Sequence, residues 1–223
     1  MTTAFKTIQE QAEFLHGGSK PIRERLPQYK SNRALIGIPD NVYLSLMSRR
    51  IFRAGLKHSM VDAKWPEFEK VFFNFDIDAV RLLSDEELEA MMGNRNIIRH
   101  WGKIKSVRAN AAAIHELREE YTALGKYLAQ WPGSNIVGLW DDLTKRFTQL
   151  GGNSGPYFLR MAGKDTFVLT RHVVRALNRW RVYDGEPKSK AARQKIQDVF
   201  NAWAEESGQA LCHISMVLAC SVD

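Results

Sequence analysis

Leu150-Gly151-Gly152-Asn153-Ser154-Gly155-Pro156 sits between two helical patterns. Upstream, Ile136, Trp140, Leu143, Phe147 and Leu150 recur at three- and four-residue spacing, the stripe of an amphipathic helix. Downstream, residues 157–162 begin a shorter helix, with Pro156 suited to its first turn. A glycine-rich turn between helices presents backbone amides to an anion. Glycine removes the side chain that would block the approach, and amides that open a helix carry the positive end of its dipole. Gly152, Asn153, Ser154 and Gly155 are therefore candidate phosphate-binding residues, with Lys145, Arg146, Arg160 and Lys164 close enough in sequence to add charge. Such contacts fix register along a nucleic-acid strand without reading its bases. The competing explanation is a plain helix stop followed by a proline-started helix.

Working outward, the periodicity is helical almost everywhere. Residues 3–16 suggest a polar helix ended by Gly17-Gly18, and residues 19–39, holding Pro21, Pro27 and Pro39, a basic irregular linker. Asp40 is expected to cap a helix with Tyr43, Met47, Ile51 and Ala54 on one face. Pro66 opens another with Phe68, Val71 and Phe72 inward. Ser84-Asp85-Glu86-Glu87 has the form of a capping box, ahead of Leu88, Met91 and Met92. Ile98, Trp101, Ile104, Val107, Ala111, Ile114 and Leu117 make a stripe of about five turns. Pro132-Gly133 breaks the chain, residues 166–169 are a short β-branched run, and residues 173–180 are helical. After a linker at 185–189 come two more stripes, Ile196, Val199, Phe200 and Trp203, then Leu211, Ile214, Val217 and Leu218. The pattern predicts an all-α protein of roughly ten helices. It is expected to be a single domain over 1–223, made of an N-terminal extension (1–39), a helical lobe (40–131), a hairpin region (132–184) and C-terminal helices (185–223).

Composition narrows the function. The 223 residues are 44% apolar and 26% charged, as in a soluble globular protein. Lys plus Arg is 32 and Asp plus Glu is 25, so the net charge is 32 − 25 = +7. A polyanion is the expected partner, nucleic acid ahead of an anionic membrane surface. No apolar run approaches the ~18 residues of a membrane span, and the first sixteen residues lack the apolar centre of a signal peptide. The expected location is the cytoplasm. Cys212 and Cys220 are the only cysteines, which excludes a disulfide framework and a four-cysteine zinc or iron–sulfur site. Eight residues apart, they lie about 80° apart on a helix and are expected to be small buried side chains. Neither a metal nor a cofactor is expected.

Two blocks of sequence carry a family resemblance. The first runs through Ile51-Phe52-Arg53-Ala54-Gly55-Leu56-Lys57, Trp65-Pro66-Glu67-Phe68, Phe72-Phe73-Asn74-Phe75-Asp76, Ile97-Ile98-Arg99-His100-Trp101-Gly102-Lys103-Ile104 and Asn110-Ala111. The second joins Leu150 to Pro156 with Phe167-Val168-Leu169-Thr170-Arg171-His172-Val173-Val174. Over residues 40 to 182 the chain resembles the helix-hairpin-helix DNA glycosylase superfamily, and within it the bacterial 3-methyladenine glycosylase I branch. The resemblance implies a two-lobed helical bundle with a cleft between the lobes, acting as a monomer on double-stranded DNA. A hairpin grips the phosphate beside a damaged nucleotide, and the nucleotide flips into a pocket where its N-glycosidic bond is hydrolysed. On that basis Lys164 and Arg171 support the grip of Gly152, Asn153, Ser154 and Gly155. Arg50, His58 and Trp101 shape the base pocket, although Trp101, on an apolar stripe, also fits the core. His172 or Asp165 handles the water, although Asp165 fits a turn cap equally.

The sequence departs from the family pattern at four places. Arg50 stands where the branch has glutamate, and Lys57-His58 where it has tryptophan. Matching the superfamily's Val-Asp-x-His-Val on His172-Val173 puts Thr170 at the aspartate. The branch's zinc-binding ends are missing, with only His16 near the N-terminus. An arginine in the glutamate's place repels a cationic alkylated base, so a neutral lesion is expected. A non-catalytic nucleic-acid-binding protein on the same fold is the alternative, and a helical protein-interaction module a third.

Overall fold

A computed structural model describes residues 3–222, and every regular element among them is helical. In chain order these are α1 (Phe5–Leu15), α2 (Ser19–Arg25), α3 (Asn32–Ile36), α4 (Asp40–Arg53), α5 (His58–Ala63), α6 (Trp65–Val71), α7 (Ile77–Arg81), α8 (Asp85–Met91), α9 (Trp101–Tyr121), α10 (Leu124–Gln130), α11 (Ile136–Arg146), α12 (Ser154–Ala162), α13 (Arg171–Arg179), α14 (Lys190–Ser207) and α15 (Leu211–Cys220). Single 3-10 turns lie at Phe73–Phe75 and Gly133–Asn135. The all-α expectation holds, and the β-branched run at 166–169 forms no strand.

The helices beyond the expected ten are short ones. α2 and α3 occupy the stretch expected to be a linker. Pro21 stands in the first turn of α2, where its missing N–H has no partner to lose. The Ser31 hydroxyl accepts from the Ala34 amide at 3.2 Å and starts α3. Asp40 differs from expectation too. Pro39 is the cap residue of α4, and the buried Asp40 carboxylate turns away to accept from the Leu124 amide (2.9 Å) and Arg118 Nε (2.8 Å). The Ser84 capping box forms as expected, with both reciprocal bonds present.

The chain falls into two compact units that cut across the expected segments. One unit comprises Lys30–Gln130 and Trp140–Ala162. Its core holds an aromatic cluster of Phe52, Trp65, Phe68, Phe72 and Phe75, with Trp65 stacked on Phe75 at 5.5 Å. Of the expected stripe, Ile104, Val107, Ala111, Ile114 and Leu117 are buried on α9, whereas Ile98 lies before the helix and both it and Trp101 are half-buried. Phe73, Asn74 and Phe75 all have φ between 52° and 59°, a left-handed corner that the Asn41 side-chain amide braces by donating to the Asn74 carbonyl. The positive φ turns Phe75 into the cluster, and its burial offsets the cost of the corner.

The second unit comprises the described part of Met1–Tyr29, Trp131–Leu139 and Gly163–Asp223. Phe167 stacks on Phe200 at 4.2 Å, and Trp203 packs edge-on against Phe200. The buried Gln197 amide is satisfied on both sides, accepting from the Val137 amide and donating to Asn201. Cys212 and Cys220 are buried and form no disulfide with each other. Among the described residues no helix is long and apolar enough to cross a membrane.

Candidate nucleic-acid interface and base pocket

The hairpin is helix α11, a turn over residues 147–153, and helix α12. Gly152 has φ +58° and open space around it, while a side chain on Gly155 would lie 3.0 Å from the Leu150 carbonyl oxygen. One glycine is therefore required for backbone conformation and the other for a close approach. The Gly155 amide donates to the Leu150 carbonyl (3.0 Å) and the Ser154 amide to the Gly151 carbonyl (3.1 Å). Those two amides close the turn, which removes them from the phosphate-binding set expected from sequence. Gly152 and Asn153 remain exposed at the tip.

A buried amide anchors the turn. Asn110, from the middle of α9, accepts from the Thr148 amide at 2.7 Å and donates to the Thr148 carbonyl at 3.1 Å. Next to it, Gln149 Nε2 donates to the Gly102 carbonyl at 2.8 Å. The hairpin is thus tied to the long helix through Thr148 and Gln149.

The candidate base pocket lies at the end of α4, in the same unit. Arg53 grips the Asp62 carboxylate with three bonds of 2.6, 2.7 and 3.1 Å, and Arg49 Nε adds a fourth at 3.1 Å. The Arg53 bonds, aided by both positive charges, hold the Asp62 carboxyl below the usual carboxylate range. Lys103, from the first turn of α9, is buried and donates to the carbonyls of Ala54 (2.7 Å) and Phe52 (3.3 Å), which end α4. Burial, and then the nearby Arg50 charge, push the Lys103 amine below its ordinary pKa.

Arg50 is unlike these neighbours. Its guanidinium lies over the Tyr157 ring, 4.6 Å from the centroid. Its Nε is shut off from solvent and meets no acceptor. An unmet buried donor costs about 1–3 kcal/mol. Burial, with Arg53 adding to it, lowers the pKa of Arg50, but a guanidinium stays protonated. The Asp62 carboxylate at this end of α4 is committed to Arg49 and Arg53.

His58, the first residue of α5, is exposed. Trp101 is half-buried at the start of α9, with the Lys105 amine 5.4 Å from its ring centroid. The structure therefore brings Arg50, Arg53, Asp62, Lys103 and Tyr157 together at the end of α4. Tyr157 and Asn110 were given no role from sequence, because cation–ring pairs and side-chain clamps across tens of residues leave no local spacing.

The other expected site residues lie in the second unit, and the structure corrects two of them. Lys164, expected to support the phosphate grip, is buried with its amine donating to the Trp131 carbonyl at 2.7 Å, and burial lowers its pKa. Asp165, expected as a water-handling group, accepts from the Leu211 (3.0 Å) and Cys212 (2.8 Å) amides. It caps α15, a structural use of a carboxylate at a helix N-terminus. Thr170 caps α13 by accepting from the Val173 amide at 3.2 Å. Arg171 and His172, in the first turn of α13, are exposed. Among the described residues no cluster of three or more His, Cys, Asp or Glu side chains is placed to hold a metal.

Residues 39–149 match the methyladenine glycosylase family. The Methanocaldococcus jannaschii 8-oxoguanine glycosylase/lyase, solved with DNA containing 8-oxoguanine, shares the fold with a TM-score of 0.55 and 15% identity, over 95% of each chain. The Staphylococcus aureus 3-methyladenine DNA glycosylase I gives a TM-score of 0.53 at 18% identity, over 70% of this chain and 90% of that one. Over residues 39–149 the chain carries the sequence pattern of the methyladenine glycosylase family, and it shares the fold of these DNA glycosylases. The Thermotoga maritima 8-oxoguanine DNA glycosylase has the same fold at 17% identity, with a TM-score of 0.54 over 96% and 95% of the two chains. No curated protein matches the chain. Arg50, His58 and Thr170 are the positions at which the sequence is expected to depart from the pattern it resembles. The structure gives Thr170 a capping bond, leaves His58 exposed and leaves the Arg50 Nε without an acceptor.

Proposed function

We propose that the chain is a DNA base-excision repair glycosylase, hydrolysing the N-glycosidic bond of a flipped, uncharged modified base in duplex DNA. The observation that carries this is the match of residues 39–149 to the methyladenine glycosylase family. The protein acts as a monomer in the cytoplasm, on nucleoid DNA if it is bacterial, and without a cofactor. The exposed Gly152-Asn153 tip holds the backbone phosphate, and Arg171 adds charge. Flipping exposes the glycosidic bond, and a lesion that weakens pairing lowers the cost of extrusion. Arg50 disfavours a cationic base at the end of α4, with His58 and Trp101 at the pocket's edge. Water adds to the sugar C1′ as the base departs with the electrons of the C–N bond. Since Asp165 caps α15, His172 is the side chain left to take the water's proton.

The test uses the full chain and duplexes that each carry one alkylated, deaminated or oxidised base, scored for abasic sites. The expected outcome is release of a neutral lesion, with His172→Ala slowing single-turnover release about 100-fold. The second reading, a nucleic-acid binder without chemistry, draws on Thr170 at the aspartate position and on the Asp165 cap. Salt-dependent duplex binding with no base released from any substrate would establish it.

A further inference from the structure

Arg50 carries five N–H donors in one plane. Among the described residues its Nε meets no acceptor, and no carboxylate pairs with it. Every charged neighbour is already committed, Arg49 and Arg53 to Asp62 and Lys103 to the carbonyls of Phe52 and Ala54. The Tyr157 ring holds the guanidinium from one face at 4.6 Å and so fixes the direction of its fork. Tyr157 lies one turn into α12, the helix that Ser154 opens. The ring beneath the fork therefore lies on the helix that follows the exposed hairpin tip. A half-buried planar fork held by a ring and unpaired with any carboxylate among the described residues is complementary to two adjacent acceptors in a plane. A backbone phosphate offers acceptors as well, and the affinity for undamaged duplex tells the two apart.

Resting on the excision reading above, we infer that Arg50, held by Tyr157, reads the paired O6 and N7 acceptors of a deaminated purine, hypoxanthine or xanthine. The chemistry separates these from 3-methyladenine and 8-oxoguanine. 3-Methyladenine in DNA is cationic and meets a cation. 8-Oxoguanine has a hydrogen on N7, so a donor faces a donor. Hypoxanthine and xanthine are uncharged or weakly acidic and present both acceptors, the arrangement an arginine fork matches bidentately.

The experiment has two arms. Single-turnover release is compared on duplexes holding hypoxanthine, 8-oxoguanine or 3-methyladenine. The free bases hypoxanthine, 7-deazahypoxanthine and 3-methyladenine are titrated into the protein and followed by NMR shifts. Wild type is expected to release hypoxanthine at least about tenfold faster than the other two lesions, and to bind hypoxanthine but not its 7-deaza analogue. Arg50→Gln is expected to lower hypoxanthine release about 10- to 100-fold. Arg50→Lys, which keeps the charge and loses the fork, should fall nearly as far. Circular dichroism and melting confirm that each variant is folded. Preference for 3-methyladenine or 8-oxoguanine, or hypoxanthine release indifferent to Arg50→Gln, overturns the assignment. Equal loss of affinity for undamaged duplex in Arg50→Gln overturns it in favour of a phosphate contact. If wild type releases no base at all, the excision reading fails. The titration then decides Arg50 alone: hypoxanthine binding that Arg50→Gln abolishes supports it, and absent or unchanged binding overturns it.

Discussion

The end of α4 and the segment from Lys164 to His172 both gather polar and charged groups that sequence marks for chemistry, yet they treat them differently. In the second stretch, Lys164 donates to Trp131, Asp165 caps α15 and Thr170 caps α13. At the end of α4, Arg53 and Lys103 are equally committed, but Arg50 has a ring beneath it and no acceptor at Nε. A polar group whose bonds are all internal is holding structure together, and replacing it is expected to register as stability. A half-buried group with an unmet donor adds little to stability and has capacity left for a ligand.

Urea unfolding of single variants tests that contrast. The largest loss is expected from Lys103→Met, about 2 kcal/mol, because the ends of α4 lose their buried donor. Asp165→Ala should cost about 1–2 kcal/mol through the two α15 amides it leaves unmet. If folded Asp165→Asn loses base release out of proportion to its stability, Asp165 does chemistry and the contrast breaks. Thr170→Ala should cost about 1 kcal/mol, whereas Thr170→Asp retains the cap and should stay within about 0.5 kcal/mol of wild type. Arg50→Met should change stability by no more than about 0.5 kcal/mol, or raise it, because no internal bond is lost. A loss above about 2 kcal/mol there would mean that Arg50 is structural and would remove the basis for a ligand.

Local chemistry was legible in the sequence and distant chemistry was not. The Ser84 capping box, the α9 stripe and the glycine turn involve residues within a few positions of each other, and all three appear in the fold. Residues 19–39 misled because three prolines suggest irregular chain, yet Pro21 occupies a helix's first turn, where proline is tolerated. Asp40 was assigned a local cap, whereas its partners lie at Arg118 and Leu124. Within the candidate site, the arginine at position 50 and the glycines of the turn could be singled out by type and order. The Tyr157 platform is more than a hundred residues from Arg50 and carries no spacing signal. The burial of Lys164 was equally hidden, since a lysine beside a glycine reads as exposed until the Trp131 carbonyl is seen above it.

The Asn110 clamp leaves that position an alphabet of one letter. The side chain must offer a donor and an acceptor at once, at the reach of one methylene, to a backbone that shows it both an N–H and a C=O. Aspartate has the outline but would set a negative oxygen against the Thr148 carbonyl. Leucine has the volume but would leave both groups dry, and glutamine has the chemistry but overshoots. No other natural side chain meets all of these demands at once.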